Sequence, residues 1–138
     1  MREEYDIIVV GGGPGGSMAA RYAAENGADV CLLEKTRDIG YPVRCGEAVG
    51  HAGVTQFVEM RDSWIAEKID SCTLVSPNGI QLDVPFANET GYILNRRIFD
   101  YDLSRIASKA GAQIFTKAHV TDLVYIDGKI SGVKVNHL

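Results

Sequence analysis

The feature that most constrains this chain is the run Gly11-Gly12-Gly13-Pro14-Gly15-Gly16, set between a β-branched apolar stretch and an alanine-rich one. Tyr5 to Val10 (YDIIVV) reads as a short, buried parallel strand that stops at Gly11. From Pro14 to Asn26 good helix formers dominate, proline is tolerated in the first turn, and Gly27 supplies a left-handed cap. Ala28 to Glu34 (ADVCLLE) is a second apolar run. The chain therefore opens as strand, glycine turn, helix, strand, an α/β unit whose two strands should be parallel and whose crossover should be right-handed.

Gly11, Gly13 and Gly16 satisfy the pattern G-x-G-x-x-G at the junction of strand and helix. The first glycine permits the tight turn, the second lets backbone amides approach a pyrophosphate, and the third lets helix and strand pack closely. Pro14 and Gly15 complete a helix start whose unpaired N–H groups and positive dipole end favour an anion. Glu34 closes the second strand 18 residues past Gly16, near the spacing at which an acid accepts hydrogen bonds from ribose hydroxyls. An acid there argues against a 2′-phosphate, so NADP is disfavoured on charge grounds while FAD and NAD both stay open on these residues.

The region after Glu34 separates FAD from NAD. A nicotinamide dehydrogenase normally continues with further βα units, whereas residues 35–50 (KTRDIGYPVRCGEAVG) form a glycine- and proline-rich loop, long enough to suggest a function. Val54 to Ile69 is read as one or two short helices around Trp64. Cys72 to Ser76 and Ile80 to Val84 flank Pro77-Asn78-Gly79, a strong hairpin signal. Tyr92 to Leu94 reads as a strand, and Arg97 to Ala110 as a helix burying Phe99, Leu103, Ile106 and Ala110, with Gly111 as its stop. Ala112 to Phe115 returns to strand, and Val120 to Val135 alternates around Asp127-Gly128 as a second hairpin.

At 138 residues and 46% hydrophobic the chain can bury one core. A formal charge of -4 lacks the basic field that nucleic-acid binding needs. Cys31, Cys45 and Cys72 stand at no zinc-like spacing, and His51, His119 and His137 have no partners at metal or catalytic spacing, so no metal site is expected. No apolar run approaches the roughly 20 residues that span a bilayer, and Met1-Arg2-Glu3-Glu4 leads into the first strand without a signal peptide. A cytoplasmic setting, with membrane contact at most peripheral, is the expectation.

The order of elements resembles the Rossmann-like FAD-binding domain of the glutathione-reductase-like flavoproteins, which a substrate domain and a small antiparallel meander interrupt. Within that group the stretches YDIIVVGGGPGGSMAARYAAENGADVCLLEK, IGYPVRCGEAVG and YILNRRIFDYDL resemble the geranylgeranyl reductase family, especially its archaeal digeranylgeranylglycerophospholipid reductases. Of these, PVRCGE discriminates best, because the whole superfamily shares the glycine motif. Family members are much longer than 138 residues, so the chain is expected to be a fragment or a truncated product. Residues 1–138 would be the N-terminal part of an FAD-binding domain, with residues 70–94 opening the substrate-domain sheet and residues 95–138 returning to the FAD domain.

The resemblance also implies roles. Gly15 and its neighbours would hold the FAD pyrophosphate, and Glu34, beside Lys35, the ribose. Arg44, Cys45, Gly46 and Ala48 would lie along the cofactor near its flavin end, with Cys45 or Glu47 helping to relay a proton. Arg96 would face the pyrophosphate or ribityl chain, and Val120 would meet the adenine through its backbone. The implied partners are an unsaturated isoprenoid lipid and a reductant: reduced ferredoxin, coenzyme F420 or NAD(P)H. Plainer roles stay open beside these. Arg96 or Arg97 can be a solvated helix-start residue, Cys45 a packed loop residue, and Val120 a strand residue. A flavin monooxygenase, an electron-transfer flavoprotein and a non-catalytic dinucleotide-binding module are the competing functions.

Overall fold

The computed structural model of the chain describes residues 2–86 and 89–137, so Met1, Ala87, Asn88 and Leu138 lie outside the described residues. In chain order the elements are β1 (Ile7–Val10), α1 (Pro14–Glu25), β2 (Val30–Leu33), β3 (Ala48–Gly50), α2 (His51–Thr55), a 3₁₀ turn (Asp62–Trp64) and β4 (Ile65–Ile69). There follow β5 (Ser71–Val75), β6 (Gln81–Pro85), β7 (Gly91–Leu94), α3 (Arg96–Lys109), β8 (Gln113–Phe115), β9 (Ala118–Ile126) and β10 (Lys129–His137). They fall into two compact units, Met1–Pro42 with Asp100–Leu138, and Val43–Phe99.

The first unit is built on a parallel sheet of order β1-β2-β8. Its centre, β2, is buried at every residue, and the alternation of a strand sends its side chains to opposite faces. Val30 and Leu32 pack with Ala20 of α1, Ala107 of α3 and Ala112, a layer of small helix side chains that lets the helices lie close. Cys31 and Leu33 pack on the other side with Ala118, Val120, Val133 and Val135 of the β9-β10 hairpin. The result is helices, parallel sheet and antiparallel hairpin in three layers, with Asp127 (φ 50°) and Gly128 (φ 76°) both left-handed at the hairpin turn, as the Asp-Gly pair predicts.

β1 departs from expectation. It pairs in parallel with β2, but it is an edge strand of this sheet, with Ile7 and Val10 exposed rather than buried. An apolar run alone does not tell a central strand from an edge one. The buried stripe of α3 also differs, running through Phe99, Leu103 and Ala107 while Ile106 and Ala110 are only half-buried. Asp100 and Ser104 share that stripe, a polar content that displaces the apolar periodicity by about one residue.

The second unit holds an antiparallel sheet of order β3-β7-β4 and the separate hairpin β5-β6. Asn78-Gly79 makes the predicted turn, with Gly79 at φ +83° and its N–H donating to the Ser76 carbonyl at 2.9 Å. Two expectations are corrected. The loop assigned to residues 35–50 ends in β3, and the helical reading of Val54 to Ile69 gives way to strand from Ile65 onward. Both strands pair with β7, a distant partner that local periodicity does not reveal. Trp64 is fully buried against Phe99, with ring centroids 5.0 Å apart in an edge-to-face arrangement.

Candidate functional site

At the end of β1 the chain turns through Gly11, whose φ of +101° is costly for any residue with a Cβ. The amide of Gly11 donates to the Leu33 carbonyl at 2.8 Å, so the turn stays registered on β2. A Cβ on Gly16 would collide with the Gly11 carbonyl oxygen, which makes the third glycine of the motif the one that lets α1 approach β1. Gly13 and Gly15 differ from it, because a Cβ at either would meet no atom within 4 Å. Their missing side chains keep space clear in front of the turn.

Gly13 is the N-cap of α1, no side chain caps the helix, and no acid lies in its first turn. Pro14 has no N–H, and the amides of Gly15 and Gly16 precede the first one with an acceptor inside the helix, Ser17, which donates to the Gly13 carbonyl at 2.9 Å. Two donors and the positive dipole end thus face outward beside the cleared space. That combination fits a pyrophosphate.

Glu34 stands at the end of β2, half-buried. Its Oε2 accepts the N–H of Gly12 at 2.8 Å, and its Oε1 accepts the N–H of Thr36 at 2.7 Å and the Thr36 hydroxyl at 2.8 Å. Burial alone raises the pKa of this carboxyl. The bonds from Gly12 and Thr36, with the charge of Lys35, outweigh that effect and hold it below the ordinary carboxylate value. An ionised carboxylate is therefore fixed against the glycine turn, and Oε2 keeps a lone pair for a further donor such as a ribose hydroxyl.

Two residues that the sequence did not single out complete this arrangement. Gly12 is needed because a Cβ there would press on the Ile39 side chain at 3.0 Å and on Cβ of Glu34 at 3.3 Å. Ser17 is fully buried, and its hydroxyl donates to the Gly12 carbonyl at 3.2 Å. A serine early in a helix behind a glycine turn was the available signal for that bond.

Lys35 is exposed next to Glu34. Val120 lies in β9 with its side chain packed on the Cys31, Leu33 and Ala118 cluster, two residues from Ala118, whose N–H donates to the Glu34 carbonyl at 2.9 Å. The other candidates belong to the second unit. Arg44, Cys45 and Gly46 are exposed, Ala48 opens β3 opposite Ile93, and Arg96 is the first residue of α3 rather than the one before it. Cys45 Sγ accepts the N–H of Glu47 at 3.4 Å. His51, assigned no partner from sequence, has its Nδ1 3.1 Å from the Tyr92 hydroxyl. No helix is long and apolar enough to cross a membrane among the described residues.

The chain is similar to several known proteins. A digeranylgeranylglycerophospholipid reductase of Methanocella arvoryzae is 46% identical over 96% of this chain and 35% of its own length. Digeranylgeranylglycerophospholipid reductase 1 of Methanococcoides burtonii is 41% identical over the whole chain and, again, 35% of its own length. This chain thus spans about a third of those relatives. The crystal structure of a geranylgeranyl bacteriochlorophyll reductase-like protein from Thermoplasma acidophilum superposes with a TM-score of 0.85 at 38% identity, over 96% of this chain and 35% of that one. A myxobacterial FAD-dependent chondrochloren halogenase, 24% identical with a TM-score of 0.77, shares the fold. The model of the FAD dependent oxidoreductase family matches residues 6–137, nearly the whole chain, and the protein belongs to that family, with FAD as its cofactor.

Proposed function

We propose that this chain is the N-terminal cofactor-binding portion of a reductase that saturates carbon–carbon double bonds in the geranylgeranyl chains of archaeal-type glycerophospholipids. The observation that carries the cofactor half of this reading is the Gly12–Glu34 bond, which sets an ionised acid beside an uncapped helix start. Similarity to named digeranylgeranylglycerophospholipid reductases along nearly all of the chain supports the substrate half.

In this reading the amides of Gly15 and Gly16 bind the pyrophosphate, Gly11 and Gly13 shape the turn, and Pro14 presets the first helical residue. Glu34 takes the adenosine ribose, Lys35 lends it positive charge, and the Val120 backbone meets the adenine. Arg96 serves the ribityl or phosphate segment, and Arg44, Gly46 and Ala48 line the cofactor's other end. An isolated double bond has no adjacent carbonyl to polarise it, so its reduction needs a hydride donor and a placed proton; bound FAD, once reduced, supplies the hydride. Cys45 has the exposed thiol suited to positioning substrate or passing a proton. Residues 70–94 would open the substrate-binding portion, and residues 95–138 would return to the cofactor-binding one. The electrons come from reduced ferredoxin, coenzyme F420 or NAD(P)H, and the enzyme works in the cytoplasm at the membrane surface.

The test uses the complete protein, chemically reduced and anaerobic, with digeranylgeranylglyceryl phospholipid. The expected result is a stepwise mass gain of two hydrogens per double bond, matched by flavin reoxidation. Unchanged lipid, with oxygen uptake and hydroxylation of an aromatic compound once air is admitted, would instead establish the monooxygenase alternative.

A further inference from the structure

Within the second unit the loop carrying Cys45 is tied down through one residue. Glu47 sits in the left-handed region at φ 63°, a conformation that a side chain with a Cβ adopts only when its surroundings enforce it. Three of its groups are engaged. Its N–H donates to Cys45 Sγ at 3.4 Å, its carbonyl accepts the N–H of Leu94 at 3.0 Å, and its Oε1 accepts the N–H of Arg96 at 3.4 Å.

The last of these bonds has an electrostatic reason. α3 begins Arg96-Arg97, has no acid in its first turn, and takes its first intrahelical bonds on the Asn95 carbonyl, from Ile98 at 3.0 Å and Phe99 at 2.9 Å. The N–H of Arg96 therefore has no acceptor within the helix. A carboxylate delivered from 49 positions earlier supplies that acceptor at the positive end of the helix dipole. Leu94, the other anchor, is buried at the end of β7, so the loop is held at a fixed point of the unit.

We propose that Glu47 is the positioning residue of the Cys45 loop: from its left-handed conformation it clamps the loop to Leu94 and Arg96 and so fixes the Cys45 thiol for the reduction proposed above. The role of Cys45 in turnover rests on that reading; the clamp itself does not. Because Cys45 is already exposed, releasing the loop brings it no new access. What it loses is a steady N–H donor to Sγ, so the thiol should become less reactive.

The experiment compares Glu47→Ala, Glu47→Gln and Glu47→Gly in the intact FAD-loaded protein, reading alkylation of Cys45 by iodoacetamide through mass spectrometry of its peptide. Cys72, which is partly exposed, serves as the internal control, while Cys31 is buried and its thiol pushed up by that burial. The Cys45 rate should fall roughly three- to tenfold in Glu47→Ala and Glu47→Gly, the scale of one hydrogen bond lost. Glu47→Gln keeps a carbonyl oxygen for Arg96 and should restore it. Glu47→Gly should fold at least as stably as Glu47→Ala, since glycine enters the left-handed region freely. An unchanged or faster Cys45 rate in Glu47→Ala, or a Gln variant no better than Ala, overturns the clamp. In lipid reduction, kcat should drop in Glu47→Ala but show no further drop when Cys45→Ser is already present. If the unmodified protein reduces no lipid, the proposed function fails, and the alkylation rates still decide the clamp.

Discussion

The N–H of Gly12 donates to Oε2 of Glu34 at 2.8 Å, so the middle residue of the triple glycine and the last residue of the second strand run hold each other in place. Through this bond the glycine turn and the acid at the end of the second strand become one rigid feature. Neither partner could do this alone. Without the acid the turn would lose an anchor, and without the amide the carboxylate would swing from the position that Thr36 also fixes.

If Glu34 holds the ribose, Glu34→Ala in the complete protein should weaken FAD about 10- to 150-fold, the scale of roughly 1.5–3 kcal/mol for hydrogen bonds to a charged group. Equilibrium titration of apoprotein with FAD measures it. Affinity within about twofold of the unaltered protein, less than even one neutral hydrogen bond is worth, would move the ribose site elsewhere.

The same carboxylate makes a pH-dependent contribution to stability. Its folded pKa lies below the unfolded value, so the contribution is fully present above the unfolded pKa, around 4.3–4.5, and is lost as pH falls through the lower folded pKa. Denaturant unfolding of the apoprotein should therefore show Glu34→Gln destabilised near neutral pH, with the gap to the unaltered protein closing as the solution is acidified below that window. A gap that widened on acidification would mean the carboxyl is protonated more readily in the folded state, contrary to its bonding.

The first unit was largely legible because its signals are local. Gly11, Pro14, Gly27 and the Asp127-Gly128 pair each encode a turn or cap in their own backbone preferences, and β2 is apolar at every position because it is covered on both faces. β3 and β4 were missed because each exists through pairing with β7, and Ala48-Val49-Gly50 has no periodicity of its own. The site divides in the same way. Gly11, Gly13, Gly16 and Glu34 stood out by spacing, whereas Gly12 and Thr36 are defined only by where the Glu34 carboxylate lands. Glu47 was named only as a proton relay that the resemblance implied; its bonds to Leu94 and Arg96 were hidden because a left-handed glutamate, unlike the Asp127-Gly128 pair, leaves no compositional trace.

Gly13 and Gly16 belong to one motif, but their surroundings assign them opposite sensitivities. A methyl group on Gly16 has nowhere to go, since it points at the Gly11 carbonyl in a backbone contact that cannot rotate away, so Gly16→Ala should cost about 1–3 kcal/mol or more of folding stability. A methyl group on Gly13 meets nothing within 4 Å, and the residue's φ of -71° is ordinary for alanine. Stability should then fall by no more than about 1 kcal/mol, the difference between glycine and alanine as an N-cap. If the pyrophosphate binds at the amides of Gly15 and Gly16, the new methyl would instead occupy the space through which it approaches them. Gly13→Ala should accordingly keep the apoprotein's thermal unfolding nearly unchanged while weakening FAD by at least about tenfold, a loss of roughly 1.4 kcal/mol. Parallel measurement of apoprotein stability and FAD affinity for the two variants separates the roles, and a Gly13→Ala protein that binds FAD normally would place the pyrophosphate away from this turn.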